Sequence, residues 1–155
     1  MGKINIARID DRLIHGQVMQ KLTKGLGTNA VYVIDNATAA DDFMKDIYVS
    51  TNSTGGLKIR VYSAKEAGEQ WQKDQFGNDK VVLVFKYIKE AKEAVENGLE
   101  LESLMVAGVS KKPNTTAVIP TASVSEEEVG ILHELKDKGI DVYFQTLPDT
   151  KRVEL

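Results

Sequence analysis

Cysteine is absent from this 155-residue chain, and histidine occurs only twice, as His15 and His133. The first absence excludes a disulfide framework and thiolate metal sites, and it fits a reducing cytoplasm. The second leaves few imidazoles for nucleophilic or metal chemistry. Long apolar runs are missing too: nothing approaches the roughly 20 residues needed to cross a bilayer. The opening Met1-Gly2-Lys3-Ile4-Asn5-Ile6 has no signal-peptide core, and Ile6 stands where a myristoylation signal wants Ser or Thr. A basic excess is also lacking, and the net charge of −3 argues against a general nucleic-acid binder. The common phosphate-cradling loops, Gly-x-Gly-x-x-Gly after the first strand and Gly-x-x-x-x-Gly-Lys-Ser/Thr anywhere, do not occur. These exclusions leave a soluble cytoplasmic protein without metal or organic cofactor, read as one domain over residues 1–155.

What the chain does contain is a repeated alternation of β-rich runs and helical patterns. Strands are expected at Ile4–Ile9, Ala30–Asp35, Leu57–Tyr62, Lys80–Phe85, Ser103–Ala107 and Asp141–Gln145. Val81-Val82-Leu83-Val84-Phe85 is apolar at every position, the pattern of a strand covered on both faces. Ser63 with Glu66, and Ser125 with Glu128, have capping-box spacing, while Gly98 and Gly139 stand where helices should stop. Val129, Leu132 and Leu135 form the apolar stripe of the last helix. The alternation predicts an α/β fold with a mostly parallel sheet between helical layers. Thr115–Ser123 is the exception, a short additional strand limited by Pro120. Ser53-Thr54-Gly55-Gly56 and Lys111-Lys112-Pro113-Asn114 read as loops.

A parallel sheet places every strand C-terminus on one edge, where ligands bind. The most concentrated chemistry follows the first strand: Arg8-Ile9-Asp10-Asp11-Arg12-Leu13-Ile14-His15-Gly16-Gln17-Val18. A neutral imidazole has a free ring nitrogen and can attack phosphorus without a separate base. Arg12 can offer a planar fork to phosphate oxygens. The backbone N–H groups of Gly16 and Gln17 would face the same anion if a helix starts there. Asp10 or Asp11 can hold Arg12, orient the His15 ring, or simply cap the helix. Asp35, Lys86, Gly108 and Ser110 are expected on the same edge as a rim. His133, between Leu132 and Leu135, lacks the second histidine of a zinc-protease motif and reads as structural. Trp71 reads as a packing residue of its helix.

The segment from Arg8 to Val18 closely resembles the active-site signature of IIB components of the bacterial phosphoenolpyruvate-dependent sugar phosphotransferase system, mannose/fructose/sorbose family. Weaker likeness extends to the fourth strand, Val106-Ala107-Gly108, Ala122-Ser123-Val124 and Lys138-Gly139-Ile140. The resemblance implies a three-layer α/β/α sandwich on six strands ordered 3-2-4-1-5-6. It implies that His15 receives phosphate on its δ1 nitrogen from a phosphohistidine of a IIA partner. The phosphate then passes to a sugar held by membrane subunits IIC and IID, with which the cytoplasmic chain associates peripherally. Arg12 becomes the oxyanion partner, Asp10 the orienter and Asp11 a rim residue, with no metal or cofactor involved. Many relatives have Gly-Gly-Met after strand five, where this chain has Ala107-Gly108-Val109. A signalling receiver domain also ends its first strand in an acidic pair, but Arg60-Val61-Tyr62-Ser63 supplies no acceptor carboxylate after strand three.

Overall fold

A computed structural model describes residues 2–13, 16–23, 25–50 and 57–155, with backbone only at 16–18 and 20. The chain runs β1 (Lys3–Asp10), α1 (Gly16–Thr23), β2 (Ala30–Ile34), α2 (Asn36–Ala40), α3 (Asp42–Ser50), β3 (Lys58–Tyr62), α4 (Ala64–Asp74) and β4 (Lys80–Phe85). It continues through α5 (Ile88–Glu96), β5 (Ser103–Gly108), β6 (Thr116–Ile119), β7 (Ala122–Val124), α6 (Glu126–Asp137), β8 (Asp141–Phe144) and β9 (Val153–Glu154). The main sheet has the order β3-β2-β4-β1-β5-β8-β9. All its neighbours are parallel except β9, which pairs antiparallel with β8.

The expected order 3-2-4-1-5-6 is therefore present, with β8 as the sixth strand. The count of six needs correction, because the two-residue β9 adds a seventh at the edge. Arg152 holds it there, lying 3.9 Å over the Tyr143 ring and pairing with Asp141 at 2.6 Å. The Thr115–Ser123 region is corrected as well. It forms an antiparallel β6–β7 hairpin that is a sheet of its own, turning at Pro120 and Thr121. Pro120 has no N–H to offer a ladder, so a turn is where it fits.

Two apolar clusters cover the two faces of the sheet, as the pleat requires. Ile9, Ile34, Leu83, Phe85 and Val106 face the larger one, with Ala67 and Trp71 of α4, Ala91 and Ala94 of α5, and Leu132 and Leu135 of α6. Val31, Val33, Val82 and Val84 face the smaller one, with Leu13 and with Met19 and Leu22 of α1. Val81 to Phe85 have no solvent exposure at all. Both predicted capping boxes are formed, Ser63–Glu66 starting α4 and Ser125–Glu128 starting α6. His133 is exposed on α6, so it does not pack in the core. The Ser53–Gly56 loop lies outside the described residues.

β1 sits between β4 and β5, at the point where successive connections leave in opposite directions across the sheet. Its C-terminal end is therefore the crevice of a doubly wound fold. Immediately beyond it, Leu13 adopts φ 57°, a left-handed conformation rare for a residue with a branched side chain. Leu13 is 3% exposed in the smaller cluster. Burial of its side chain holds that turn, which carries the chain from β1 toward α1.

Candidate functional site

Alternation along β1 sends Ala7 and Ile9 to the larger apolar cluster and Arg8 and Asp10 to the opposite face. Arg8 and Asp10 are both fully buried. Arg8 Nη2 donates to Asp10 Oδ2 at 2.9 Å, and Nη1 donates to the Thr146 carbonyl at 2.6 Å. Asp10 also receives three bonds from Arg12, all at 3.0 Å: backbone N and Nε to Oδ1, and Nη2 to Oδ2. Four donors use the four lone-pair directions of one carboxylate. Of the alternatives for Asp10, the described geometry supplies the arginine clamp.

The electrostatics follow from this arrangement. Burial pushes the Asp10 carboxyl upward, but the bonds from Arg12 and Arg8 outweigh it and hold the group below the usual carboxylate range. The Arg12 guanidinium is held above its ordinary value, chiefly by its bonds to Asp10. Arg8 is pulled downward by burial, against the opposing effect of Asp10. Arg8 Nε has no hydrogen-bond partner, a buried N–H left unsatisfied. Two guanidiniums share the Asp10 carboxylate, and the Asp11 carboxylate acts on Arg12 from beside it. The Arg12 side chain is 47% exposed, and its Nη1 has no partner among the described residues. One pre-aligned fork is thereby left for an anion.

Gly108 explains how Asp10 fits. The two residues are partners in the β1–β5 ladder. A Cβ on Gly108 would lie 2.5 Å from Asp10 Oδ1 and 2.8 Å from its Cγ, too close for any real side chain. The neighbouring Ala107 is fully buried without such a conflict, and Thr121 Oγ1 donates to its carbonyl at 2.6 Å. The alanine that distinguishes this loop is thus accommodated, whereas the glycine beside it is required. Gly108→Ala is expected to cost ~1–3 kcal/mol of stability through overpacking. It should also displace the carboxylate that holds Arg12. A thermal melt measures the cost.

The other predicted residues occupy separate places around this cluster and beyond it. Asp11 and Ser110 meet directly, Ser110 N donating to Asp11 Oδ2 at 2.7 Å while Asp11 N donates to the Gly108 carbonyl at 3.0 Å. Asp11 therefore ties the β5 loop to the β1 turn. Lys86 follows β4, half-buried beside Tyr87. Asp35 belongs elsewhere: it is 1% exposed and caps α2, its Oδ2 accepting from Thr38 N at 3.1 Å and Thr38 Oγ1 at 2.5 Å. It is floor rather than rim, and it is no longer the end of the strand. Gly16 and Gln17 form the start of α1. His15 lies outside the described residues, one position before that helix.

Sequence reasoning passed over Arg8, Thr146 and Glu90. For Arg8 a signal was available, since it stands two residues before Asp10 on a strand and so shares its face. Thr146 has none, because its contact depends on β8 lying beyond β5. Among the described residues no group of three or more His, Asp or Glu side chains could hold a metal ion. No described helix is long and apolar enough to cross a membrane.

Known proteins share this fold. Residues 4–155 match the family model of the PTS system sorbose subfamily IIB component. The chain is 27% identical over 137 residues to the PTS system sorbose-specific EIIB component of Lacticaseibacillus casei, covering 88% of this chain and 83% of that protein. It is 28% identical to the PTS system mannose-specific EIIAB component of Escherichia coli strain K12, covering 98% of this chain but 48% of that longer protein. The crystal structure of manxB from Thermoanaerobacter tengcongensis superposes with a TM-score of 0.88 at 40% identity, covering 99% of this chain and 93% of the other. That of the N-acetylgalactosamine-specific IIB component 1 from Escherichia coli gives 0.91 at 25%, covering 99% of each. The chain belongs to the sorbose subfamily of IIB components of the sugar phosphotransferase system.

Proposed function

We propose that residues 1–155 act as one cytoplasmic phosphocarrier domain with His15 as the covalent carrier. A nitrogen of the neutral His15 ring attacks the phosphorus of a phosphohistidine on a IIA protein or domain. The new N–P bond forms as the donor N–P bond breaks, and the donor nitrogen keeps the electron pair. In the second step a sugar hydroxyl held by IIC and IID attacks the same phosphorus. Its proton is released, and the His15 nitrogen leaves with its lone pair. Such a loose transfer needs in-line positioning and charge stabilisation on the three equatorial oxygens.

Arg12 carries this reading. Its guanidinium is locked by Asp10, with no partner for Nη1 among the described residues, three residues before His15. The Gly16 and Gln17 amides open α1, whose first turn contains no acidic residue to compete with an anion. A receiver-type site would need Asp10 open to a divalent cation, whereas its oxygens are taken by two arginines. The sugar is a member of the class these permeases handle, chosen in the membrane subunits.

Incubation with phosphoenolpyruvate, the general phosphotransferase proteins and a matching IIA should label the chain stoichiometrically. The label should be alkali-stable and acid-labile, because protonation of a phosphoramidate nitrogen makes it a better leaving group. A His15→Ala chain should take up no label. Labelling equal to wild type, or a hydroxylamine-sensitive bond, would place the phosphate on another residue.

A further inference from the structure

Beside the carrier site the strand C-terminal edge bears a second charged feature. The ammonium groups of Lys86, Lys89 and Lys112 each lie 5.6 Å from the centroid of the Tyr87 ring. Lys86 and Lys89 flank the start of α5, while Lys112 comes from the loop after β5. β1 lies between β4 and β5, so this contact joins the two loops flanking the Asp10–Leu13 turn. Lys111 is exposed next to Lys112.

None of these four lysines forms an ion pair among the described residues, whereas Lys58, Lys65 and Lys92 each have a carboxylate. Converging ammoniums repel one another. Two of them also stand at the positive end of a helix dipole, where cations are disfavoured. The Tyr87 ring face attracts the three ammoniums but carries no net charge, so an external anion can still neutralise them. The concentration of positive charge is more pronounced because the whole chain carries −3, so the remainder is more acidic still.

We propose that the Tyr87-centred lysine cluster contacts anionic phospholipid headgroups and turns the carrier edge toward the membrane. This rests on the phosphocarrier reading, in which the phosphate must reach a membrane subunit. The composition of the patch selects lipid over an acidic protein surface. Lysines are depleted at protein–protein interface centres, where arginine forks fix register. Flexible point charges around one amphipathic ring suit mobile headgroups instead. The acidic remainder is repelled by the same surface, so the contact orients the molecule rather than anchoring it.

The test is co-sedimentation of the full, unphosphorylated chain with vesicles of phosphatidylglycerol and phosphatidylcholine, against phosphatidylcholine alone. Partitioning should require the anionic lipid and fall as salt rises from low to physiological strength. Each lysine contributes roughly a fivefold factor, so K86Q/K89Q/K112Q should bind about 100-fold more weakly. A control triple, K65Q/K73Q/K136Q, should bind as wild type or better. Equal binding to both vesicle types, or an equal loss in the control, would overturn the proposal. So would a cluster variant that keeps its vesicle binding but raises the KM for the IIA donor, which would assign the patch to a protein. Vesicle binding does not depend on His15 labelling, so failure of either reading is visible separately.

Discussion

Asp10→Asn should nearly abolish phosphorylation of the chain and lower its stability by about 3–5 kcal/mol. The stability loss follows from Arg8. That guanidinium has no solvent exposure, and Asp10 is its counter-charge. An amide would present two N–H donors to arginine N–H groups on one side and remove the charge on both. An ion left buried without its partner costs about this much. For a chain of this size the melting temperature should drop by roughly 10 °C. The kinetic loss has a separate origin. Without the clamp, the half-exposed Arg12 is free to adopt many rotamers and its fork is no longer aligned. Removing one preorganised donor from a developing anion costs ~10²–10³-fold in rate.

Arg12→Ala separates the two effects. Arg12 is 47% exposed and its backbone N–H bond to Asp10 survives the change, but two donors to a buried carboxylate are lost, so stability should fall by about 1–3 kcal/mol. The transfer rate should fall by the same ~10²–10³-fold. Stopped labelling reactions and urea titrations on both variants measure this. If Arg12→Ala transfers phosphate at the wild-type rate, Asp10 serves only the fold.

The two variants also mark what could be read from sequence. Arg12, Asp10 and His15 stood out because charged residues of those types crowd the end of an apolar strand. β4 was legible for the opposite reason, since five successive apolar residues leave a strand no solvent face. Ser63–Glu66 and Ser125–Glu128 were legible because a capping box is local, closed within one helical turn. Long-range partners were not. That Gly108 must lack a side chain depends on its register with Asp10, which no spacing along the chain encodes. β9 is two residues long and exists because Arg152 bridges Asp141 and Glu154 across it. Asp35 looked like the last residue of a strand, but Thr38 offers it both a backbone and a hydroxyl donor, so the strand gives way to a helix cap.

Asp35 and Glu90 together carry the largest expected pH effect. Both are almost wholly buried, Asp35 as the N-cap of α2 and Glu90 in the first turn of α5. Glu90 accepts from Asn36 N at 2.7 Å and from Tyr87 N at 3.2 Å. Asp35 Oδ1 has no N–H or hydroxyl partner of its own. Burial pushes the Glu90 carboxyl up to about 7, and the adjacent Asp35 acts in the same direction. A protonated Glu90 donates to Asp35 and satisfies that oxygen. Unfolded, Glu90 would titrate at its ordinary value of 4.5. Between these values the folded chain holds a proton that the unfolded chain has released. Stability from this group is therefore fully present below about 4.5 and is lost as pH rises through about 7. The loss is of the order of 3 kcal/mol. Asp35→Asn should reduce it, because the contribution of the Asp35 charge is lost while burial of Glu90 remains. The amide oxygen keeps both bonds from Thr38, asparagine remains a good N-cap, and the new N–H donates to an ionised Glu90. At pH 8 the variant should melt about 2–4 °C above wild type, with the difference shrinking toward pH 5. A parallel pair of melting curves across that range would show instead that the two carboxyls share no proton.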